Sequence, residues 1–186
     1  MVKGGGPLCK RSNASTLGCT PGRSAKIVAD GGVAFVCDVL RYLSAASLGI
    51  FAGAMLTEAG VLVPLWRSLP PDEFLRWYAA NAQRLFAYFS PVTSVSAVLA
   101  IAAAVASLGE GHPGRWYALV AAGLALVIVA SFFVYFEQAN ASFAAATIAV
   151  DAVPAELARW SAWHHARTAL SVVALAASLL AIRQSS

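Results

Sequence analysis

The chain has 186 residues, of which 59% are hydrophobic and only 12% are charged, and its formal net charge is +4. A soluble domain of this size carries more charge on its surface, so the composition excludes an ordinary soluble enzyme or binding module. The basic residues flank apolar runs, where a membrane explains them, and nucleic acid is not a predicted partner.

Four apolar runs are long enough to cross a bilayer as helices, which takes roughly 20 mainly apolar residues each. They are rich in Ala, Leu and Val and lack the period-two alternation of β-barrel strands. The sequence therefore predicts an all-α integral membrane four-helix bundle whose first partner is the lipid bilayer. The predicted spans cover about residues 43–66, 86–108, 116–138 and 160–182.

The segment before the first span divides into two parts. Residues 1–26 are rich in Gly, Ser, Thr and basic residues and contain no long apolar stretch, which predicts a disordered tail rather than a signal peptide or a span. Residues 27–186 form the predicted transmembrane domain. Its first part, up to Tyr42, is apolar but contains charged residues, which indicates either a membrane-surface helix or an extension of the first span.

The first span contains a GxxxG step, Gly49 to Gly53, followed by Gly60. Small residues spaced in this way allow another helix to approach closely, either a neighbour in the same chain or a second copy in a homo-oligomer. After this span, Pro71 and the acidic residues behind it are typical of a helix start. Aromatic residues at helical spacing then predict a short interfacial helix between spans one and two.

The orientation follows from the distribution of Lys and Arg. Four spans place both termini on one side, which has eight basic residues against five on the other. The positive-inside rule therefore predicts that both termini are cytoplasmic. In this orientation Trp66, Trp77, Trp160 and Trp163 are expected in an aromatic belt at the outer interface.

Ionisable residues of three spans fall in the same, outer half of the membrane. Glu58 is late in span one, Glu137 is late in span three, and His164 is early in span four. An ionisable group in hydrocarbon costs at least a few kcal/mol and is usually paired or functional. Helical spacing puts Trp160, His164 and Arg167 on one face of span four.

On span three, Asn140 shares a face with Glu137. If these faces of spans three and four both point into the bundle, their polar residues meet Glu58 between the helices. Their chemistry leaves three interpretations open. His164, Glu58 and Glu137 are candidate catalytic acids and bases that act on a bound hydrophobic small molecule. Two carboxylates and a histidine are also a ligand set for a divalent metal, although no motif specifies a metal or any cofactor. The third interpretation is structural, for example an ion pair of Glu137 with Arg167.

Two stretches resemble the anthrone-oxygenase-like family of small four-helix membrane proteins. The first runs from Gly53 to Pro64 (GAMLTEAGVLVP), and the second is Asn140 and Asp151 followed by WSAWHHAR, which begins at Trp160. The resemblance covers about residues 44–182. Most members are bacterial domains of unknown function, so it implies a bacterial inner membrane.

The resemblance also implies an activity, since some fungal relatives oxidise polyketide anthrones to anthraquinones with O2 and no tightly bound redox cofactor. The chain would then be an oxidoreductase for an aromatic or polyketide-like substrate, with Asn140, Trp160 and Arg167 as substrate-binding residues and His164 as a functional position. The resemblance assigns no role to Glu58 or to the second histidine, His165, and it leaves the substrate open. The alternative is a non-catalytic membrane subunit or accessory protein whose buried charges are structural.

Overall fold

The computed structural model describes residues 21–184, with side chains from residue 31 onward. The chain divides into two units, residues 1–33 and 34–186. Most of the predicted tail, residues 1–20, lies outside the described residues, and the helix of the first unit begins at Pro21. The membrane bundle belongs to the second unit.

Every regular element of the described residues is helical. The elements are α1 (Pro21–Thr57), a π-helical turn (Glu58–Leu62), α2 (Val63–Ser68), α3 (Pro71–Gly109), α4 (Arg115–Ser131), a second π-helical turn (Phe132–Phe136), α5 (Glu137–Ala144), a 3-10 turn (Val150–Ala152) and α6 (Val153–Arg183).

These elements form four helices that are long and apolar enough to cross a membrane, which confirms the predicted all-α membrane bundle. They cover Gly31–Ser68, Pro71–Gly109, Arg115–Ala144 and Val150–Arg183. Large apolar side chains such as those of Phe133 and Val134 are exposed on the outside of the protein. A hydrocarbon environment suits such a surface, since lipid tails are as apolar as these side chains.

The start of α3 explains the predicted interfacial helix. Pro71 occupies a first-turn position, where its missing N–H is not needed, and Asp72 and Glu73 lie beside the positive end of the helix dipole. The helix continues from there to Gly109 without a break, although Pro91 lies inside it. The segment predicted as interfacial is therefore the first part of the same helix that forms span two.

The core has two kinds of packing. In the half of the bundle that contains the α3–α4 turn, the buried residues are mostly alanines from α3, α4 and α6. Small side chains allow close helix contact there, and a Cβ atom at Gly114 would lie only 2.9 Å from the Cα of Ala181. In the other half, large aromatic residues fill the core, among them Trp66, Phe74 and Phe143.

The glycine pattern of the first span has a neighbour within the chain at one of its three positions. A Cβ placed at Gly49 would lie 3.8 Å from the side chain of Leu175, whereas no described atom lies within 4 Å of one placed at Gly53 or Gly60. The second predicted partner of this pattern, another copy of the chain, stays a prediction.

Trp66 and Trp160, expected in a surface belt, are buried and contact each other edge to face at 5.3 Å. Hydrophobic sequence alone does not separate a belt tryptophan from a core tryptophan.

Arg41 is buried and paired with acidic residues instead of lying in a basic flank. It forms ion pairs with Glu110 and with Asp38, the latter at 2.5 Å, and it donates a hydrogen bond to the Ser107 hydroxyl at 3.2 Å. These contacts join α1 to the C-terminal end of α3. Within the second unit, α1 is continuous through this region, so the segment before Tyr42 extends the first span.

Candidate functional site

A cavity of about 510 Å³ opens between α3, the third span and α6 in the aromatic half of the bundle. Apolar side chains form most of its wall, and polar side chains are gathered from all four spans. The apolar wall includes Leu85, Phe86, Phe89, Ile128, Val129, Phe132 and Phe133. The polar residues include Glu58, Tyr78, Gln83, Glu137, Asn140 and Arg167.

Both π-helical turns contribute to this cavity. Glu58 is the first residue of one turn, and Phe132 and Phe133 belong to the other. A π-helical turn inserts an extra residue into an α-helix and is frequent at functional sites. Through these turns, Glu58 of the first span and Phe132 and Phe133 of the third span line the same cavity.

Three ionisable side chains, two of them buried and the third only slightly exposed, meet at one end of the site. The Oε2 atom of Glu58 lies 3.5 Å from Nδ1 of His164 and 3.6 Å from the Nη2 atom of Arg167. The side chains are 5%, 0% and 11% exposed, respectively. The predicted convergence of these three residues is therefore present in the structure.

The hydrogen bonds of His164 fix one of its protons. Its Nε2 atom lies 3.1 Å from the carbonyl oxygen of Met55, which can only accept, so Nε2 must donate. In a neutral ring, Nδ1 then has a lone pair that faces the Glu58 carboxylate, and neither atom has a hydrogen-bond partner among the described residues. A proton on either atom would allow a hydrogen bond between them, so His164 and Glu58 can share one proton.

Trp160 connects the cluster of Glu58, His164 and Arg167 to the third span. Its ring stacks on that of His164, with centroids 5.0 Å apart and an interplanar angle of 14°. Its indole Nε1–H donates a hydrogen bond of 2.9 Å to Oδ1 of Asn140. The Arg167 guanidinium lies 4.2 Å above the ring of Phe136, a cation–π contact.

The structure places the other predicted residues less centrally. Glu137 lines the cavity but is exposed, and the ion pair of Arg167 is formed with Glu58 and not with Glu137. His164 lies behind the cavity wall, so a ligand would reach it through Glu58. The neighbouring His165 is exposed, in agreement with its position about 100° away on the helix.

Sequence reasoning missed the contribution of the second span. Ser90, Thr93 and Ser94 line the cavity, and so do Tyr78 and Gln83. The signal that was available is a group of hydroxyl residues around Pro91, since such residues are uncommon within an otherwise apolar span. Thr93 donates a hydrogen bond to the carbonyl oxygen of Phe89 within the same helix, at 2.8 Å.

A groove of about 520 Å³ is lined by residues of α1, the first π-helical turn and α3. Glu58, Leu85 and Phe89 line both this groove and the cavity, so Glu58 is close to two spaces.

The metal interpretation finds no ligand set in the part of the chain that the structure describes. No group of three or more His, Cys, Asp or Glu side chains is placed there to hold a metal ion. Comparison of the chain with protein-family models, with curated proteins and with solved structures finds no match.

Proposed function

We propose that this membrane protein binds a hydrophobic aromatic small molecule in the cavity and acts on it through the Glu58 and His164 pair. The observation that carries the proposal is a largely apolar cavity with a buried ionisable group at one end. Binding sites for small molecules typically have volumes of about 300–1,000 Å³, apolar walls and a few convergent polar groups. The 510 Å³ cavity has each of these features.

The proposed reaction is the oxidation of an activated ring methylene to a ketone by O2. Two C–H bonds of the methylene break and one C=O bond forms, O2 is the oxidant, and its second oxygen atom leaves as water. Glu58 is the proposed base that accepts the methylene proton, and His164 shares that proton through Nδ1. The resemblance to anthrone oxygenases supports this reaction, and the location of Glu58 at the cavity supports the role of the base. Glu137, in the same wall, is the second candidate base.

The orientation is part of the proposal. Both termini lie in the cytoplasm of a bacterium, so that the cavity opens in the outer half of the inner membrane. The excess of basic residues on the side of the termini supports this orientation. A hydrophobic substrate would then reach the site from the bilayer.

The test uses the purified full chain in lipid nanodiscs, with anthrone as the substrate. We expect anthrone to bind and to be converted to anthraquinone with the uptake of one O2 per product. Because a general base contributes about 10²- to 10⁴-fold, Glu58→Gln should lower the turnover number by that range and leave the dissociation constant within a few-fold. The matched control is Glu73→Gln, an exposed carboxylate at the start of α3, which should keep the wild-type rate. Wild-type turnover in Glu58→Gln would refute the role of Glu58, and the absence of anthrone binding would refute the proposed function.

One observation favours a second candidate, a non-catalytic membrane subunit. Glu58 and Arg167 carry opposite charges at 3.6 Å. Such a pair can fix neighbouring helices without any role in binding or catalysis. This alternative predicts a cavity that binds no aromatic ligand, so the same binding measurement separates the two.

A further inference from the structure

Two hydrogen-bond donors in the cavity wall lack partners. The guanidinium of Arg167 makes no hydrogen bond to any described residue, and its buried Nε atom is left without a partner. Its ion pair with Glu58, at 3.6 Å, is longer than a hydrogen bond. A buried donor without a partner typically costs about 1–3 kcal/mol, more when it is charged. Because Arg167 lines the cavity, a ligand oxygen that accepts a hydrogen bond from the Nη groups of its guanidinium would gain affinity.

The second donor is the side-chain amide of Asn140. Because the indole Nε1–H of Trp160 can only donate, it must face the oxygen of the Asn140 amide. This contact assigns Oδ1 to the end of the amide that faces Trp160. The Nδ2 group is consequently the free end. It has no hydrogen-bond partner among the described residues, and Asn140 lines the cavity.

We infer that Arg167 and the Nδ2 group of Asn140 form a subsite for an oxygen acceptor of the ligand, a ring carbonyl or a phenolate. This inference rests on the proposed function and names the chemical class of its ligand. Trp160 and His164 act indirectly in this arrangement. Trp160 is a positioning residue that holds the Asn140 amide in one orientation, and His164 supports Glu58 from behind the wall.

The charged residues of the wall are Arg167 and the carboxylates Glu58 and Glu137. Of these, Arg167 is the hydrogen-bond donor, so a carbonyl or phenolate oxygen is expected at Arg167 and not at the carboxylates. Gln138 lies two residues before Asn140 on the same helix, and its exposed amide does not line the cavity. Gln138 is therefore a matched control for Asn140.

The experiment compares two probes with the same three-ring skeleton, anthrone, which has a ring carbonyl, and 9,10-dihydroanthracene, which has none. Dissociation constants are measured in nanodiscs by fluorescence titration under nitrogen, so that no oxidation takes place. We expect the wild-type chain to bind anthrone roughly 10- to 100-fold more tightly than dihydroanthracene, because both donors are satisfied only by the carbonyl.

Two variants test the donors. Asn140→Asp keeps an oxygen for the Trp160 indole but replaces the amide donor, and Arg167→Met removes the guanidinium. Each should weaken anthrone binding about tenfold and leave dihydroanthracene binding unchanged, which also shows that the variant is folded. Gln138→Glu makes the same amide-to-acid change at an exposed residue of α5 outside the cavity lining and should keep the full preference for anthrone.

The outcomes separate this inference from the proposed function. If the wild type binds both probes equally, or if Asn140→Asp and Arg167→Met keep the preference, the oxygen subsite is refuted while the binding function stands. If the wild type binds neither probe, the proposed function fails and the inference fails with it.

Discussion

Replacement of Arg167 by methionine should destabilise the protein strongly because it leaves Glu58 buried without a counter-charge. Methionine has a similar length and keeps an apolar contact with the ring of Phe136. The two charges are 3.6 Å apart, which corresponds to a Coulomb energy of about 4–5 kcal/mol at an effective dielectric constant of about 20. Removal of one partner of a buried pair typically costs about 3–5 kcal/mol, in the same range.

The assay is reversible unfolding of the full chain in mixed micelles, followed by circular dichroism as the fraction of denaturing detergent is raised. The measurements form a double-mutant cycle of Arg167→Met, Glu58→Gln and the combined variant. We expect a coupling energy of about 2–4 kcal/mol, so that the combined variant is clearly more stable than the sum of the single changes implies.

The control is a second arginine ion pair that lies on the surface. Arg76 contacts Asp72 at 3.0 Å, but the two side chains are 70% and 54% exposed. Exposed pairs are worth about 0–1 kcal/mol, so Arg76→Met should lower the free energy of unfolding by no more than that. If Arg167→Met costs as little as Arg76→Met, or if the cycle is additive, Glu58 and Arg167 are not the coupled buried pair described above.

Two further predictions concern the α3–α4 turn. Gly114→Ala would bring a methyl group to 2.9 Å from the Cα of Ala181 and closer still to its carbonyl oxygen, so overpacking should cost about 1–3 kcal/mol in the same unfolding assay. Gly123→Ala, with no atom within 4 Å of the added carbon, should cost nothing and gain helix propensity, and equal losses in the two variants would contradict the close approach. The pKa of His112 is lowered, first by burial and then by the charge of Arg41, so the unfolded chain takes up a proton at a higher pH than the folded chain. The free energy of unfolding should therefore fall as the pH drops below about 6.5, and His112→Gln should reduce this loss. The same pH profile in His112→Gln as in the wild type would refute the role of His112.

The four spans could be predicted from the sequence because hydrophobic length is the dominant constraint on a helix in a bilayer. The start of α3 was equally predictable, since proline in the first turn followed by acidic residues is a local signal for the N-terminus of a helix. Burial of Arg41 was not predictable in the same way. Its partner Glu110 is distant in the sequence, and an arginine near the end of a span looks identical whether it pairs or faces water.

The site was predictable in part. Helical spacing correctly put Trp160, His164 and Arg167 on one inward face, and the scarcity of charge singled out Glu58. The choice of Glu58 over Glu137 as the partner of Arg167 was not predictable. Each π-helical turn adds a residue, which turns the helix that follows by roughly 100°, and no sequence signal marks such a turn.

The location of the charges relative to the two kinds of core packing bears on the choice between a functional and a structural role. Alanines bring the helices together in one half of the bundle, and a pair of charges that only fixed the helices would be equally effective there, enclosed by packed side chains. Glu58 and Arg167 are instead in the aromatic half, where both line a 510 Å³ cavity. A charge pair with one side open to a space of this size agrees with the proposed binding role, because a pair that only fixed the helices is best enclosed by packed side chains.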